Sequence, residues 1–236
     1  MNSERLVDVL AGFARTLVTD YEITDMLAEL CDQVMEVLDV DGAGVMLSDD
    51  HDGHLRFVAA SDEVVRNIET LQVELGEGPC LHAYSTGEQV VIGDLGGTER
   101  FPSFAPRALA AGLTAVYSFP MLAGEQRVGA INLYASRAAD FAEDDIDAGQ
   151  ILADIATAYI LNSRTLSEST RLADQLQHAL NSRIVIEQAK GKLAEQLGIG
   201  VDAALQLLRA HARRKGRKLH DVAAEVVDGA LRLPRP

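Results

Sequence analysis

Apolar residues recur every three or four positions early in the chain, which predicts helices over residues 4–18 and 22–38. Short helices are predicted further on, over residues 62–71, 81–86 and 106–111. Between them, short apolar runs bounded by turn-forming residues predict strands. These strands cover residues 42–47, 55–59, 90–92, 115–120 and 128–135. Helices that alternate with groups of strands indicate an α+β domain with an antiparallel sheet flanked by helices.

A nearly continuous helix, without proline, is predicted from residue 143 to residue 197. Positions spaced alternately by three and four residues give it a heptad seam, typical of two helices in a parallel coiled coil. The seam consists of Leu152, Ile155, Tyr159, Asn162, Leu166, Ser169, Ala173, Leu176 and Leu180. The alternative is an amphipathic helix that packs on its own domain. We favour a dimer because residues 162–169 have few large apolar neighbours, and because a buried Asn fixes coiled-coil register.

Two shorter helices are predicted after the glycines at 198 and 200, and together with the end of the long helix they form an all-α unit of three helices. The inward face of the first carries Val201, Ala204, Leu205, Leu208 and Ala212. The inward face of the second carries Leu219, Val222, Ala223, Val226 and Val227. This unit is small and helical, unlike the α+β part that precedes it.

Charge is distributed unevenly between the two parts of the chain. Residues 1–165 hold 9 Arg, no Lys and 28 Asp or Glu, a net charge of −19. Residues 166–236 hold 12 Lys or Arg and 8 Asp or Glu, a net charge of +4. All 11 aromatic residues lie in the first part. This asymmetry indicates two domains with different partners, of which the basic one is suited to nucleic acid.

Two features of the basic part point to a binding surface. Six of the ten residues from 209 to 218 are basic and none is acidic, although a solvated helix end would also favour cations. Gly191 lies mid-helix beside Lys190, where glycine costs about 1 kcal/mol relative to alanine. Either another helix or a ligand is therefore expected to approach the backbone there. The predicted nucleic-acid contacts are Arg183, Lys190, Gly191, Ala194, Arg209, Arg213, Arg214, Lys215, Arg217 and Lys218.

Other chemistry finds little support in the sequence. There is no Walker phosphate loop, no paired-cysteine zinc pattern and no recognisable nucleophile pattern, so we predict no enzyme, metal site or cofactor. Cys31 and Cys80 are predicted to be small buried hydrophobes, with a redox-sensing thiol as the alternative for Cys80. No run approaches 18 apolar residues and the start lacks signal-peptide order, which predicts a cytoplasmic protein without a membrane partner.

Residues 172–228 resemble the ANTAR domain, a bacterial RNA-binding module of antitermination regulators. The resemblance rests on LNSRIVIEQAKG at 180–191, AALQLLR at 203–209 and RKLHDVA at 217–223. The chain departs from the family pattern at Lys192, which would add charge, and at Ala194, which trims bulk beside Gly191. The unit has no aromatic residue on which RNA bases could stack, although the planar guanidinium groups of arginines can take that role. Physical reasoning alone therefore does not decide between RNA and duplex DNA. The resemblance implies RNA.

Residues from about 20 to 162 resemble a GAF domain, a small sensory α+β module. The resemblance rests on GEGPC at 76–80, DL at 94–95, RFPSF at 100–104 and VGAINLY at 128–134. Within this region we regard Cys80 and His82 as candidate sensor residues. GAF ligands differ too widely for one to be assigned, so the signal stays open.

The two resemblances together imply a GAF sensory domain over 1–162, a coiled-coil linker helix over 163–180 and an ANTAR domain over 172–232. ANTAR proteins bind two RNA hairpins with hexanucleotide loops in nascent transcripts and thereby prevent a terminator hairpin. The resemblance therefore implies a homodimeric antiterminator that acts on the transcription machinery indirectly. A DNA-binding transcription factor and a ligand-sensing GAF signalling module are the alternatives.

Overall fold

The computed structural model describes residues 23–49, 53–138 and 141–234, together with the single positions 7, 9, 11 and 12. The predicted helix over residues 4–18 lies mostly outside the described residues. The chain divides into two compact units, an N-terminal unit (Met1–Arg164) and a C-terminal unit (Thr165–Pro236). In the described part, no helix is both long enough and apolar enough to cross a membrane.

The N-terminal unit is built on a five-stranded antiparallel sheet with the strand order β2-β1-β5-β4-β3. Its strands are β1 (Gly42–Ser48), β2 (Leu55–Ala60), β3 (Val90–Ile92), β4 (Ala115–Ala123) and β5 (Gln126–Ala135). In the described part of the unit, four shorter helices accompany it: α1 (Ile23–Leu38), α2 (Glu63–Leu75), α3 (Pro79–Thr86) and α4 (Ala105–Ala110). The long helix α5 spans Glu143–Leu197. The predicted α+β class and the predicted antiparallel sheet are confirmed.

Both faces of the sheet are covered, because successive side chains of a strand point to opposite sides. On one face, Val45, Phe119 and Leu133 belong to an apolar core that also contains residues of α1 and the first part of α5. On the other face, Val116 and Tyr134 pack with residues of α2 and α4. The continuous burial of β1 follows from this arrangement rather than from a one-sided sheet.

Helix α2 is longer than its apolar pattern predicts, since it continues to Leu75 rather than ending at residue 71. Asp62 caps its start by accepting a hydrogen bond from the backbone amide of Val65 at 2.9 Å. The additional turn contains Gln72, a fully buried amide that the sequence pattern alone treats as a surface residue. This turn brings polar groups under the sheet.

The C-terminal unit contains the end of α5 together with α6 (Val201–Lys215) and α7 (Leu219–Asp228). Its core draws on all three helices, as the sequence predicts, with Leu193 from α5, Leu208 from α6 and Val222 from α7. These side chains are almost completely buried. The predicted inward positions of Val201 and Leu205 are wrong, because Val201 is exposed and Leu205 is not part of this core. The core holds the three helices together without an aromatic residue.

The predicted seam on α5 divides into two parts of different character. Leu152 and Tyr159 lie in the core of the N-terminal unit, and Ile155 packs against that core. The prediction of a dimer contact at Leu152 and Tyr159 is therefore corrected, because their apolar surface is already covered within one chain. Every residue from 165 to 181 is exposed, with Leu166, Leu176 and Leu180 each more than half accessible. This second part leaves an apolar surface that a partner can cover.

Candidate nucleic-acid interface

Three arginines converge around the junction of α6 and α7. Gly216 ends α6 in the left-handed conformation, with φ of 61°, which glycine adopts without strain. The next amide, that of Arg217, donates to the carbonyl of Ala212 at 2.9 Å and so turns the chain back alongside α6. The resulting depression of about 230 Å³ is lined by Arg209, Ala212, Arg213, Arg217 and Leu219. We call Arg209, Arg213 and Arg217 the arginine cluster.

One member of the cluster is held by a carboxylate. The guanidinium of Arg217 donates to the two oxygens of Glu225, from Nη2 at 2.6 Å and from Nη1 at 2.9 Å. The hydrogen bonds of this pair raise the pKa of Arg217 and lower the pKa of Glu225, so both groups stay charged near neutral pH. Glu225 comes from α7, and the pair therefore joins that helix to the linker after α6.

The remaining cations of this surface are not neutralised. Arg209, Arg213, Lys215, Lys218 and Arg183 are exposed, and within the described residues none of them has a carboxylate partner. The guanidinium of Arg214 lies 3.4 Å from Nδ1 of His211, which is not an acidic group. Exposed cations without acidic partners attract polyanions, because binding releases counterions from the polyanion.

Lys190 and Gly191 are arranged differently from the cluster. Nζ of Lys190 lies 2.8 Å from Oε2 of Glu187, one turn earlier on α5, and its side chain is only 14% exposed. Neither residue lines the depression between α6 and α7. A Cβ added at Gly191 would meet nothing within 4 Å, so within one chain the predicted alternative of close helix packing is wrong. The backbone there is open to a ligand.

Two residues near Gly191, Lys192 and Ala194, contact other parts of the C-terminal unit. Lys192 donates from Nζ to the carbonyl of Val227 at 2.7 Å, at the end of α7, where a helix favours a cation. The carbonyl fixes the ammonium group but does not neutralise it, so the charge that Lys192 adds stays a prediction. Ala194 is half-buried against the apolar core of the unit, so it lies at the margin of the predicted face.

In the N-terminal unit, the two candidate sensor residues differ in access. Cys80 is completely buried, and burial raises the pKa of its thiol well above the usual value, which disfavours the reactive thiolate. This burial favours the predicted small buried hydrophobe over the alternative of a redox-sensing thiol. His82 is half-buried and lines a cavity of about 620 Å³ together with Glu77 and Phe101. Its ring approaches that of Phe101 edge-on, with 5.9 Å between the centroids.

A second feature of this unit was missed by sequence reasoning. Glu69 of α2 is completely buried under the sheet and accepts from Asn132 Nδ2 at 2.8 and 2.9 Å and from the Tyr134 hydroxyl at 3.1 Å. Gln72 donates to the same carboxylate at 3.3 Å. We call these four residues the Glu69 cluster. Burial raises the pKa of Glu69 to about 7, although the hydrogen bonds from Asn132 and Tyr134 oppose this.

Comparisons with known proteins assign both units. The GAF domain model matches residues 21–160, and the ANTAR domain model matches residues 174–227. No curated protein matches the chain. Among the described residues, no group of three or more His, Cys, Asp or Glu side chains is placed to hold a metal ion.

Solved structures show the same fold for the N-terminal unit. The GAF domain of a phosphoenolpyruvate-protein phosphotransferase from Coxiella burnetii is 16% identical, with a TM-score of 0.57, covering 71% of this chain and 99% of that one. The corresponding Acinetobacter domain is 15% identical, with a TM-score of 0.54, and coverage is 69% and 97%. A free methionine-R-sulfoxide reductase from Neisseria meningitidis is 18% identical, with a TM-score of 0.53, and coverage is 68% and 91%. At these identities, the likeness concerns the fold alone.

Proposed function

The chain belongs to the GAF domain family and also carries an ANTAR domain, and on this premise we propose that it is an RNA-binding transcription antiterminator. The ANTAR domain implies the RNA-binding antiterminator family, and the GAF domain is a sensory domain. Both are regulatory domains that generally do not catalyse reactions. In the proposed function, a dimer binds two hexaloop hairpins of a nascent transcript in the cytoplasm, and the terminator hairpin does not form.

The observation that carries the proposal is the set of unneutralised cations on the C-terminal unit. Arg209 and Arg213 line the depression beside Arg217 and have no carboxylate partner among the described residues. The N-terminal part of the chain is strongly acidic and would repel a polyanion. RNA is therefore directed to the C-terminal unit.

The exposed part of α5 supports the proposed dimer. Leu166, Leu176 and Leu180 are 54%, 58% and 57% exposed and continue the heptad spacing predicted from the sequence. A second copy with the same seam would cover them. Two linked RNA-binding units then bind two hairpins with an affinity raised by about a hundredfold or more through effective concentration.

The N-terminal unit would supply the signal in this proposal. The cavity beside His82 and Phe101 is large enough for a small molecule, and it opens to solvent next to α3. We assign no ligand, cofactor or catalytic role to it. The unit acts on the transcription machinery only indirectly, through the RNA.

The proposal is tested by titrating a two-hairpin RNA with the full chain and two single variants. We expect Lys190→Ala and Arg214→Ala to weaken binding about tenfold each, while the melting temperature stays unchanged. Arg171→Ala is the matched control, because Arg171 is exposed on α5 outside the ANTAR match. Unchanged RNA affinity in both Lys190→Ala and Arg214→Ala would remove the support for this surface.

A second experiment tests the dimer. Leu176→Asp places a charge in the proposed seam without touching the core of either unit, because Leu176 is exposed in one chain. We expect sedimentation to show a monomer and the advantage of two hairpins over one to disappear. If the variant remains a dimer, the seam is wrong.

A further inference from the structure

The arginine cluster poses an electrostatic problem for the free protein. Arg209, Arg213 and Arg217 line one depression of about 230 Å³, and like charges that share one depression repel one another. Arg209 and Arg213 are carried by the regular helix α6, whereas Arg217 lies beyond its end in the linker. Of the three, Arg217 is therefore the side chain whose direction depends most on a neighbour.

Glu225 is that neighbour, and it uses only part of the guanidinium. The two bonds at 2.6 and 2.9 Å occupy one N–H on each terminal nitrogen. A guanidinium carries five N–H donors, so three remain for another acceptor. A planar group held at two points keeps one orientation, in contrast to a lysine held through a single nitrogen.

We propose that Glu225 is a positioning residue for RNA, which holds Arg217 against Arg209 and Arg213 so that the three guanidinium groups receive one backbone phosphate. This inference rests on the proposed function. The alternative is that Glu225 simply repels the RNA. In that case, removal of its charge would raise the RNA affinity rather than lower it.

The geometry favours positioning over repulsion. Arg217 lines the depression, whereas Glu225 is not among its lining residues, so a phosphate in the depression meets Arg217 and not Glu225. Both side chains are more than one third exposed, so the repulsion between Glu225 and a phosphate is screened by water and salt. Ordering a free arginine on binding costs enough to lower affinity roughly three- to tenfold. When the pair with Glu225 is formed, Arg217 is already ordered in the free protein, so RNA binding does not have to order it.

The matched control is the other carboxylate that contacts a predicted RNA-binding cation. Glu187 pairs with Lys190, but both residues lie on α5 and three positions apart, so the pair joins no second element. Lys190 also approaches a phosphate as a point charge that needs no fixed plane. Glu187→Gln is therefore expected to leave RNA affinity equal or slightly higher, by about twofold at most.

A double-mutant cycle tests the inference. The full chain, Glu225→Gln, Arg217→Ala and the double variant are titrated with the two-hairpin RNA at several salt concentrations, and their melting temperatures are recorded. We expect Glu225→Gln to weaken binding roughly three- to tenfold with an unchanged salt slope. Arg217→Ala should weaken binding more and reduce the slope by about one. In the Arg217→Ala background, Glu225→Gln should cause no further loss.

Several results would overturn the inference. Tighter or unchanged binding by Glu225→Gln would show that Glu225 opposes RNA or is indifferent to it. An equal loss in both backgrounds would assign the effect to the fold rather than to Arg217, and a lowered melting temperature would accompany it. If the unaltered chain fails to bind the RNA at all, the proposed function itself is wrong, and the inference falls with it.

Discussion

The Glu69 cluster and the arginine cluster differ in how far their charged groups are exposed to solvent. In the N-terminal unit, one carboxylate is enclosed under the sheet and receives all its hydrogen bonds from neutral groups of the same unit. In the C-terminal unit, the three cations of the arginine cluster are exposed, and within the described residues only Arg217 among them has a carboxylate partner. A closed polar group contributes to folding, whereas an open charge is available for binding. The following predictions test this division.

Substitution of Gly44 should have the largest effect on stability. A Cβ at Gly44 would overlap the carboxylate of Glu69, which cannot move away because it is completely buried. We expect Gly44→Ala to lower the free energy of unfolding of the N-terminal unit by about 3 to 5 kcal/mol. Tyrosine fluorescence during urea unfolding reports on this unit alone, because every tyrosine lies within residues 1–165. An unchanged free energy of unfolding would show that the Glu69 carboxylate can move aside without cost.

The pH dependence of stability should follow from Glu69. Its pKa is about 7 in the folded unit, against a usual value of 4.5, so the folded state holds the proton more tightly than the unfolded state. This contribution to stability is complete below about pH 4.5 and is lost as the pH rises through 7. The loss amounts to about 3 kcal/mol at most.

Glu69→Gln isolates that contribution. The other groups that interact with Glu69 are Gln72, Asn132, Tyr134, Cys80 and Cys31, and within the described residues none of them is a cation. The amide of the new Gln can donate to Oδ1 of Asn132, which is buried and has no hydrogen-bond partner among the described residues. We expect the variant to gain stability relative to the unaltered chain between pH 5 and 7.5. A constant difference over this range would contradict the account.

Removal of the unneutralised arginines should change binding without changing folding. We expect Arg209→Ala and Arg213→Ala each to weaken RNA affinity about tenfold, because both side chains line the depression. Their melting temperatures should match that of the unaltered chain, since neither side chain is buried. A lowered melting temperature with retained RNA affinity would show that these arginines contribute to folding and not to binding.

The smallest expected effect distinguishes two glycines of the same helix. A Cβ at Gly149 would overlap the ring of Phe119, whereas a Cβ at Gly191 would meet nothing. Gly191→Ala should therefore stabilise the C-terminal unit by up to about 1 kcal/mol and still weaken RNA binding, if RNA approaches the backbone there. Melting followed by circular dichroism and an RNA titration measure the two effects. Stabilisation with unchanged RNA affinity would remove Gly191 from the interface.

The sequence predicts the elements well because their apolar spacing is local information. The strands are visible as short apolar runs, as in the continuously buried β1, and the three-helix core depends on residues that repeat every three to four positions, as in α6. The Glu69 cluster could not be predicted in this way, because Asn132 and Tyr134 follow Glu69 by more than 60 positions. Its members also alternate with apolar residues on β5, so their burial becomes visible only when both faces of the sheet are covered.

The composition of the candidate binding surface could be predicted from the sequence, but its contacts could not. The basic run from 209 to 218 identified the arginine cluster, whereas the pairing of Arg217 with Glu225 depends on the turn at Gly216. The first part of the seam was misassigned because heptad spacing describes an apolar stripe and not what covers it. Leu152 and Leu176 both belong to the predicted seam, yet Leu152 is buried in its own unit and Leu176 is exposed.

The most direct test of the central claim is a competition experiment on the full chain. A labelled RNA with two hexaloop hairpins is bound at fixed salt and then challenged with unlabelled RNA of the same sequence or with duplex DNA of equal charge. We expect the RNA competitor to displace the label at concentrations at least tenfold lower than the DNA does. Equal or better competition by duplex DNA would contradict RNA as the partner of the unneutralised cations.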